Sequence, residues 1–230
     1  MADKLFYLLQ VNDALFPIGG YSHSQGLETY IQKGIVHDIH TAEEYVRQKL
    51  KWSLTYTDLL AVRLAYEYAR EGELQNILEL EEILEVSRVP SEQRDASKKM
   101  GSRFAKTVEK FGLDIVDKGV FREYMESRKG KVMNHSCIYG VFCGALGVSE
   151  ADTLSHYLYG QASAMVTNCV KTIPLSQTAG QQILAGCYNC FNEMLEKVMK
   201  LTVDDLCLSS PGFDIRGIQH EKLYSRIYMS

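Results

Sequence analysis

The chain has 230 residues, 46% of them hydrophobic and 23% charged, a balance that excludes disordered and fibrous classes and suffices for one sizeable core. Twenty-five Lys plus Arg stand against 29 Asp plus Glu, for a net charge of -4 with no basic run. Nucleic acid is thereby excluded as an expected partner, because binding a duplex takes a concentrated positive surface.

The first residues are apolar, but Gln10, Asn12 and Asp13 interrupt them before any small-residue cleavage site, so no signal peptide is expected. No window reaches the roughly 18 consecutive apolar residues of a membrane span, and the expected location is the cytoplasm. Only four prolines occur, and the segments between them carry apolar residues at three- and four-residue spacing, the period of helices. With no alternating strand run, internal repeat or low-complexity linker, the predicted fold is all-α. It is one domain over 1–230, a bundle of roughly ten helices, with a helical core over 1–212 and a C-terminal partner-binding tail over 213–230.

In chain order, residues 16–28 are the most unusual stretch, with paired glycines that permit backbone conformations other residues avoid. Ser22 or Ser24 could cap a helix running through Leu27 and Tyr30. A phosphate loop is excluded, since the GxxxxGK[ST] spacing and a preceding strand are missing. A turn between helices and a binding loop both remain open. Thr41-Ala42-Glu43-Glu44 has the form of a capping box and predicts a helix through Tyr45, Val46, Leu50 and Trp52. A second helix is predicted from Asp58, with Leu59, Val62, Leu64, Ala65 and Tyr68 available to the core and Gly72 as its end.

Residues 74–85 read as a short acidic helix and 91–111 as a longer one closing at Gly112. Within 113–133 the pattern supports a helix over 120–128 and a loop at 129–131. Three core helices follow at 136–146, 149–172 and 176–201, the middle one capped by Ser149 with Asp152 and the last two separated by Pro174. Gly140, Gly144, Gly160, Gly180 and Gly186 lie inside these helices at a cost of about 1 kcal/mol each relative to alanine, which predicts close helix–helix approach. Beyond Thr202 the period fades, and Ser209-Ser210-Pro211-Gly212 marks a turn. The apolar and aromatic tail that remains either docks on its own domain as a short helix or orders on a partner.

Candidate chemistry is sparse. The six cysteines lie mostly in apolar stretches, where a free thiol behaves as a small core residue. Cys187-Tyr188-Asn189-Cys190 has redox or metal spacing, but it falls within a predicted helix of apolar core positions and has no second pair to complete four ligands. Two buried thiols on one helix face are the expectation, with a redox or metal-handling pair as the alternative. His37 and His40 are expected to be exposed loop histidines, and His135 and His156 receive no role. No Ser-His-Asp, paired-carboxylate or HExxH arrangement is present, so no catalytic residue, cofactor or metal site is assigned.

Taken together, five stretches resemble the UreF family of urease accessory proteins. They are Phe-Pro-Ile-Gly-Gly-Tyr-Ser-His-Ser-Gln-Gly-Leu-Glu at 16–28; Glu92-x-Arg94-x-Ala96-Ser97-x-x-Met100-Gly101; His135 through Gly140 to Gly147; Pro174-Leu175-Ser176-Gln177-x-x-Gly180-Gln181; and a tail with His220-Glu221, Ser225-Arg226 and Ser230. Tyr21 stands where phenylalanine is commoner in the family, and 113–133 matches weakly.

The resemblance implies an all-α homodimer that binds a UreD/UreH-type accessory protein, recruits or regulates a UreG-type GTPase, and so serves nickel insertion into apo-urease without catalysis of its own. It also implies partner-binding roles for Pro17, Gly19, Gly20, Tyr21, His23, Ser24, Gly26 and Glu28, for Gln177 and Gln181, and for His220, Glu221, Tyr224, Ser225 and Arg226. A generic helical adaptor unrelated to urease is the other alternative.

Overall fold

The computed structural model describes residues 4–111 and 119–230, and among these the regular elements are helices without a strand. The fold is all-α. Helix α1 (Lys4–Val11) leads through a 3-10 turn (Gly20–Ser22) to α2 (Leu27–Gln32). Then come α3 (Ile39–Lys49), a π-helical stretch (Leu50–Leu59), α4 (Leu60–Glu71), α5 (Leu74–Ser87), α6 (Ser91–Glu109) and α7 (Val120–Ser127). The second half holds α8 (His135–Leu146), α9 (Glu150–Thr172), α10 (Gln177–Gly186), α11 (Tyr188–Val198), a 3-10 turn (Val203–Asp205) and α12 (Pro211–His220). Of the weakly patterned 113–133 stretch, α7 forms as expected, and residues 113–118 lie outside the described residues, as does the expected stop at Gly112.

Two expectations for the first half are corrected. Asp38, and not Thr41, caps α3: its carboxylate accepts the Thr41 backbone N–H at 2.8 Å while the Thr41 hydroxyl accepts the Asp38 N–H at 3.0 Å. The box therefore opens the helix three residues earlier than Thr41-Ala42-Glu43-Glu44 indicated. No break precedes Asp58 either. The helix runs on from α3 to α4 through the π-helical stretch, where N–H groups reach one residue further back; Leu60 donates to Thr55 O, and the Thr55 hydroxyl bonds Leu50 O at 2.9 Å. The wider turn shifts the phase of the apolar stripe, which is why one long helix reads as two in sequence. Gly72 ends it as expected, in the left-handed conformation with φ 78.

Helix α8 is the centre of the core, with every residue from His135 to Leu146 buried. It packs on α4, α6 and α9. A Cβ at Gly140 would stand 2.4 Å from Val62 O, and one at Gly144 would stand 2.9 Å from Tyr66 O, so only glycine lets α4 and α8 touch backbone to backbone. Around this contact, Phe104 stacks edgewise on Phe142, with Tyr139 and Tyr157 beside them. Ser149 caps α9 through Asp152 N at 3.0 Å, as its spacing predicted.

The expected 176–201 helix is two helices, α10 and α11, joined at Gly186 and Cys187. Gly186 lies against α3, where a Cβ would meet Glu43 Oε1 at 2.8 Å, and Cys187 N–H closes a tight turn on Leu184 O. The apolar period continues across the junction while the backbone turns, so periodicity alone cannot show the break. Arg63, buried in α4, caps the end of α11 by donating to Met199 O at 3.3 Å and to Leu201 O at 2.9 Å. A buried carboxylate, Glu81 of α5, ties α7 and the entrance of α8 together. It accepts from Tyr124 at 2.5 Å and from Asn134 N and Nδ2 at 2.9 and 2.8 Å. Burial pushes its pKa up, and these donors oppose the shift.

Candidate functional site

The N-terminal 16–28 segment and the end of the chain, more than 190 positions apart, meet on one face. The segment is shaped by left-handed backbone at Gly19 (φ 79), Gln25 (φ 53) and Gly26 (φ 88). A side chain at Gly19 would strike the Arg103 guanidinium, which donates to Ile18 O at 3.2 Å. Gly26 crosses Gly217 of α12 so closely that a Cβ on either would press on its neighbours, Gly217 backbone at 3.3 Å in one case and Pro90 Cγ at 2.7 Å in the other. Neither Ser22 nor Ser24 caps α2, which corrects that expectation. Gly26 occupies the cap position, the Ser22 hydroxyl bonds Gly19 O at 2.7 Å, and the Ser24 hydroxyl bonds Ser230 O at 2.9 Å.

After α12 the last ten residues turn back across this loop. Met229 N donates to Ser22 O at 2.9 Å, Gln25 N donates to Ser230 O at 2.8 Å, and His23 Nδ1 lies 2.9 Å from Ser230 Oγ. Burial, followed by the nearby Lys99 and Arg103 cations, holds the His23 pKa below its ordinary value. Asn168 of α9 supports the loop from below, donating to His23 O at 2.9 Å.

Glu28 is the hub. Only 4% exposed, it accepts Ile227 N at 2.7 Å on one oxygen, and Tyr228 N at 3.0 Å and His220 Nε2 at 3.1 Å on the other. The second His220 nitrogen faces Glu92 Oε2 at 2.9 Å, and Arg226 reaches Glu92 Oε1 at 2.5 Å. Glu221 caps α6, its carboxylate accepting Ser91 N at 2.8 Å and Ser91 Oγ at 2.9 Å. Gln32 holds Ser225 O at 2.7 Å, and Thr29 holds Arg216 O at 2.9 Å. Beneath them Lys49, 4% exposed, sits 4.8 Å from the Phe213 ring centre and 3.4 Å from Gln25 O. Burial lowers its pKa from 10.5 to about 8.

The tail therefore has a place of its own, which sharpens the sequence reading. It docks on its own domain, and the 212/213 boundary falls inside α12. Docking leaves one side of the tail outward: Tyr224 is fully exposed, Ile227 is 73% and Met229 57% exposed, and Ile215 and Ile218 of α12 are exposed beside them. Of the residues named from the resemblance, Gly19, His23, Ser24, Gly26, Glu28, His220, Glu221, Ser225 and Arg226 are structural members of this platform, and Tyr224 stands on its surface. Gly20 packs near Met100, and Tyr21 lends its backbone to the 3-10 turn. Pro17 lies to the side, lining an open apolar groove of about 570 Å3 with exposed Phe6, Leu9 and Leu15.

Gln177 and Gln181 are exposed on α10, and among the described residues no hydrogen bond or ion pair joins them to the platform. Glu92, Asn168 and Gly217 are platform residues that sequence reasoning did not assign. Glu92 stood in a quoted motif, and Asn168 is a buried amide beside the apolar Met165, Val166 and Cys169 of α9, which was the available signal.

The histidine and cysteine expectations divide. His37 is exposed in a loop, but His40 lies in the first turn of α3. Cys187 and Cys190 are 0% and 7% exposed, and burial raises both thiols, Cys187 to about 11, the opposite of a reactive thiolate. The pair is not inside one helix, because Cys187 marks the junction before α11. Among the described residues no three His, Cys, Asp or Glu side chains are grouped to hold a metal ion, and no helix is long and apolar enough to cross a membrane.

The family model of UreF matches residues 36–188, well over half of the chain. The chain belongs to the UreF family. Membership carries the role of a urease accessory protein, in a family that is generally non-catalytic. The match spans α3 through α10 and the α10–α11 junction. The platform is built mainly on both sides of that UreF segment, from residues 16–28 and 216–230, with Lys49, Ser91, Glu92, Arg103 and Asn168 among the parts contributed from within it.

Proposed function

We propose that the chain is a non-enzymatic scaffold of urease maturation. Its platform binds a UreD/UreH-type accessory protein, and the pair then recruits or regulates a UreG-type GTPase during nickel insertion into apo-urease. One observation carries the reading: the tail spends its polar groups inward on Glu28, Glu92 and Ser91 and turns Tyr224, Ile227 and Met229 outward. Exposed aromatic and aliphatic side chains on a rigid, hydrogen-bonded base are the make-up of an interface centre. The groove beside Pro17 offers a second apolar surface, suited to the homodimer contact that the resemblance implies. The scaffold is expected to act in the cytoplasm, in keeping with its six free cysteines, five of them buried.

The test uses Tyr224→Asp and Ile227→Asp, since neither side chain is buried. Co-purification with the UreD/UreH-type protein should weaken by about tenfold or more, as for hot-spot residues, while the helical circular dichroism and melting temperature stay at wild-type values. Deletion of 219–230 should abolish the complex. Unchanged complex formation by all three variants would remove the tail from the interface. A pull-down with the UreG-type GTPase, with and without GTP, then separates loss of the first partner from loss of the second.

A further inference from the structure

Below the loop, α6, α8 and the π-helical stretch enclose a small polar chamber, lined by Gln93, Ser97, His135 and the Asp58–Arg88 ion pair, with His23 as part of its roof. Ser97 and His135 are 3% and 6% exposed. Ser97 Oγ, His135 Nε2 and Gln93 Nε2 nevertheless have no hydrogen-bond partner among the described residues. A buried polar atom left unpaired costs about 1–3 kcal/mol. All three atoms belong to residues that line one chamber, which calls for a shared ligand.

Size and charge select that ligand. The chamber offers ≈ 20 Å3 to the centre of a water-sized sphere. One water needs roughly 10–15 Å3 by that measure, so an organic molecule is too large. Asp58 and Arg88 bond each other at 2.8 Å, and the wall brings no net charge from them. Burial lowers the His135 pKa to about 4, which leaves a neutral ring at neutral pH. A neutral imidazole nitrogen donates or accepts according to tautomer, a hydroxyl does either, and an amide nitrogen donates. A single water, with two protons and two lone pairs, can satisfy all three.

We propose that this chamber binds one structural water bridging His135 Nε2, Ser97 Oγ and Gln93 Nε2, which ties the first turn of α8 to α6 beneath the N-terminal loop. The assignment is independent of the scaffold reading and stands whether or not the tail contacts another protein.

A crystal structure of the full chain, at a resolution that shows ordered solvent, tests it. The expected result is a water peak within hydrogen-bond distance of the three atoms. In His135→Phe the larger ring occupies the space, and the peak should be lost while the helices and the docked tail stay in place. The proposal is overturned by an empty chamber, by the three side chains bonding one another directly, or by a water that persists unchanged in His135→Phe. An anomalous peak there after soaking with a divalent metal would overturn it as well, by making the site an ion site. Should His135→Phe fail to fold, Ser97→Ala removes one contact with a side chain the chamber can spare. Loss or clear weakening of the peak supports the bridge, and an undiminished peak contradicts it.

Discussion

The α4–α8 contact and the terminal platform are held together by opposite means. At α8 the backbone of one helix lies on another through Gly140 and Gly144, every side chain is buried, and the contacts are apolar. The platform is a lattice of hydrogen bonds and charges centred on Glu28, Glu92 and Glu221, supporting a segment whose outward side chains are exposed. Close apolar packing has no alternative partner in water, whereas each platform bond replaces one that water could make. The first region is suited to be permanent, and the second to be the less costly part to release.

The largest effect should come from breaking the close contact. Gly140→Ala places a methyl group 2.4 Å from Val62 O, so α4 and α8 must separate. A loss of about 3 kcal/mol is expected, seen as a lower melting temperature for the whole helical signal. Equal stability of variant and wild type would mean that the two helices do not touch as described.

Next comes Glu28→Gln, which leaves one acceptor oxygen where Ile227 N, Tyr228 N and His220 Nε2 now share two. Removing one side of a buried charged cluster costs about 3 kcal/mol, here felt locally. Backbone amides of Ile227 and Tyr228 should exchange much faster while those of α8 stay protected. Uniform acceleration across both regions would erase the contrast drawn between them.

The smallest effect sharpens the comparison by its sign. Lys49 is charged at neutral pH in both folded and unfolded chains, and burying that charge is what lowers its pKa from 10.5 to about 8. Lys49→Met should therefore stabilise the protein at pH 7, by on the order of 1–2 kcal/mol after the loss of its contacts to Gln25 O and Phe213. Because the folded-state pKa is depressed, the wild type gains stability as pH rises from about 8 to 10.5, and the variant's advantage should shrink across that window. Melting temperatures of both proteins against pH check it, and a destabilised variant at pH 7 would show that the ammonium is a needed clamp on α12.

Local signals were legible where one residue type has one physical use. Gly72 and Ser149 ended and began helices as read, because a left-handed stop and a hydroxyl cap are decided within one turn. Cys187 and Cys190 read correctly as buried thiols, since apolar neighbours at helical spacing imply burial. The Thr41 box misled because Asp38 competes for the same role three residues earlier, and the stronger acceptor takes the cap. Gln177 and Gln181 belong to a separate stretch, 174–181, grouped with the platform residues only by the resemblance, and α10 holds them out in solvent.

Composition and the three-to-four-residue period determined on their own that this would be a helical protein with a large apolar core, and the ordered motifs determined its family. Which helices touch, where a long helix slips into π geometry, and that Glu28 reaches across to Ile227 and Tyr228 were decided only in the tertiary structure. The physical reason is range. A helix forms from bonds between residues four apart and leaves its trace in the period. A buried carboxylate chooses its partners by what the completed packing brings within about 3 Å, a distance that no spacing along the chain encodes.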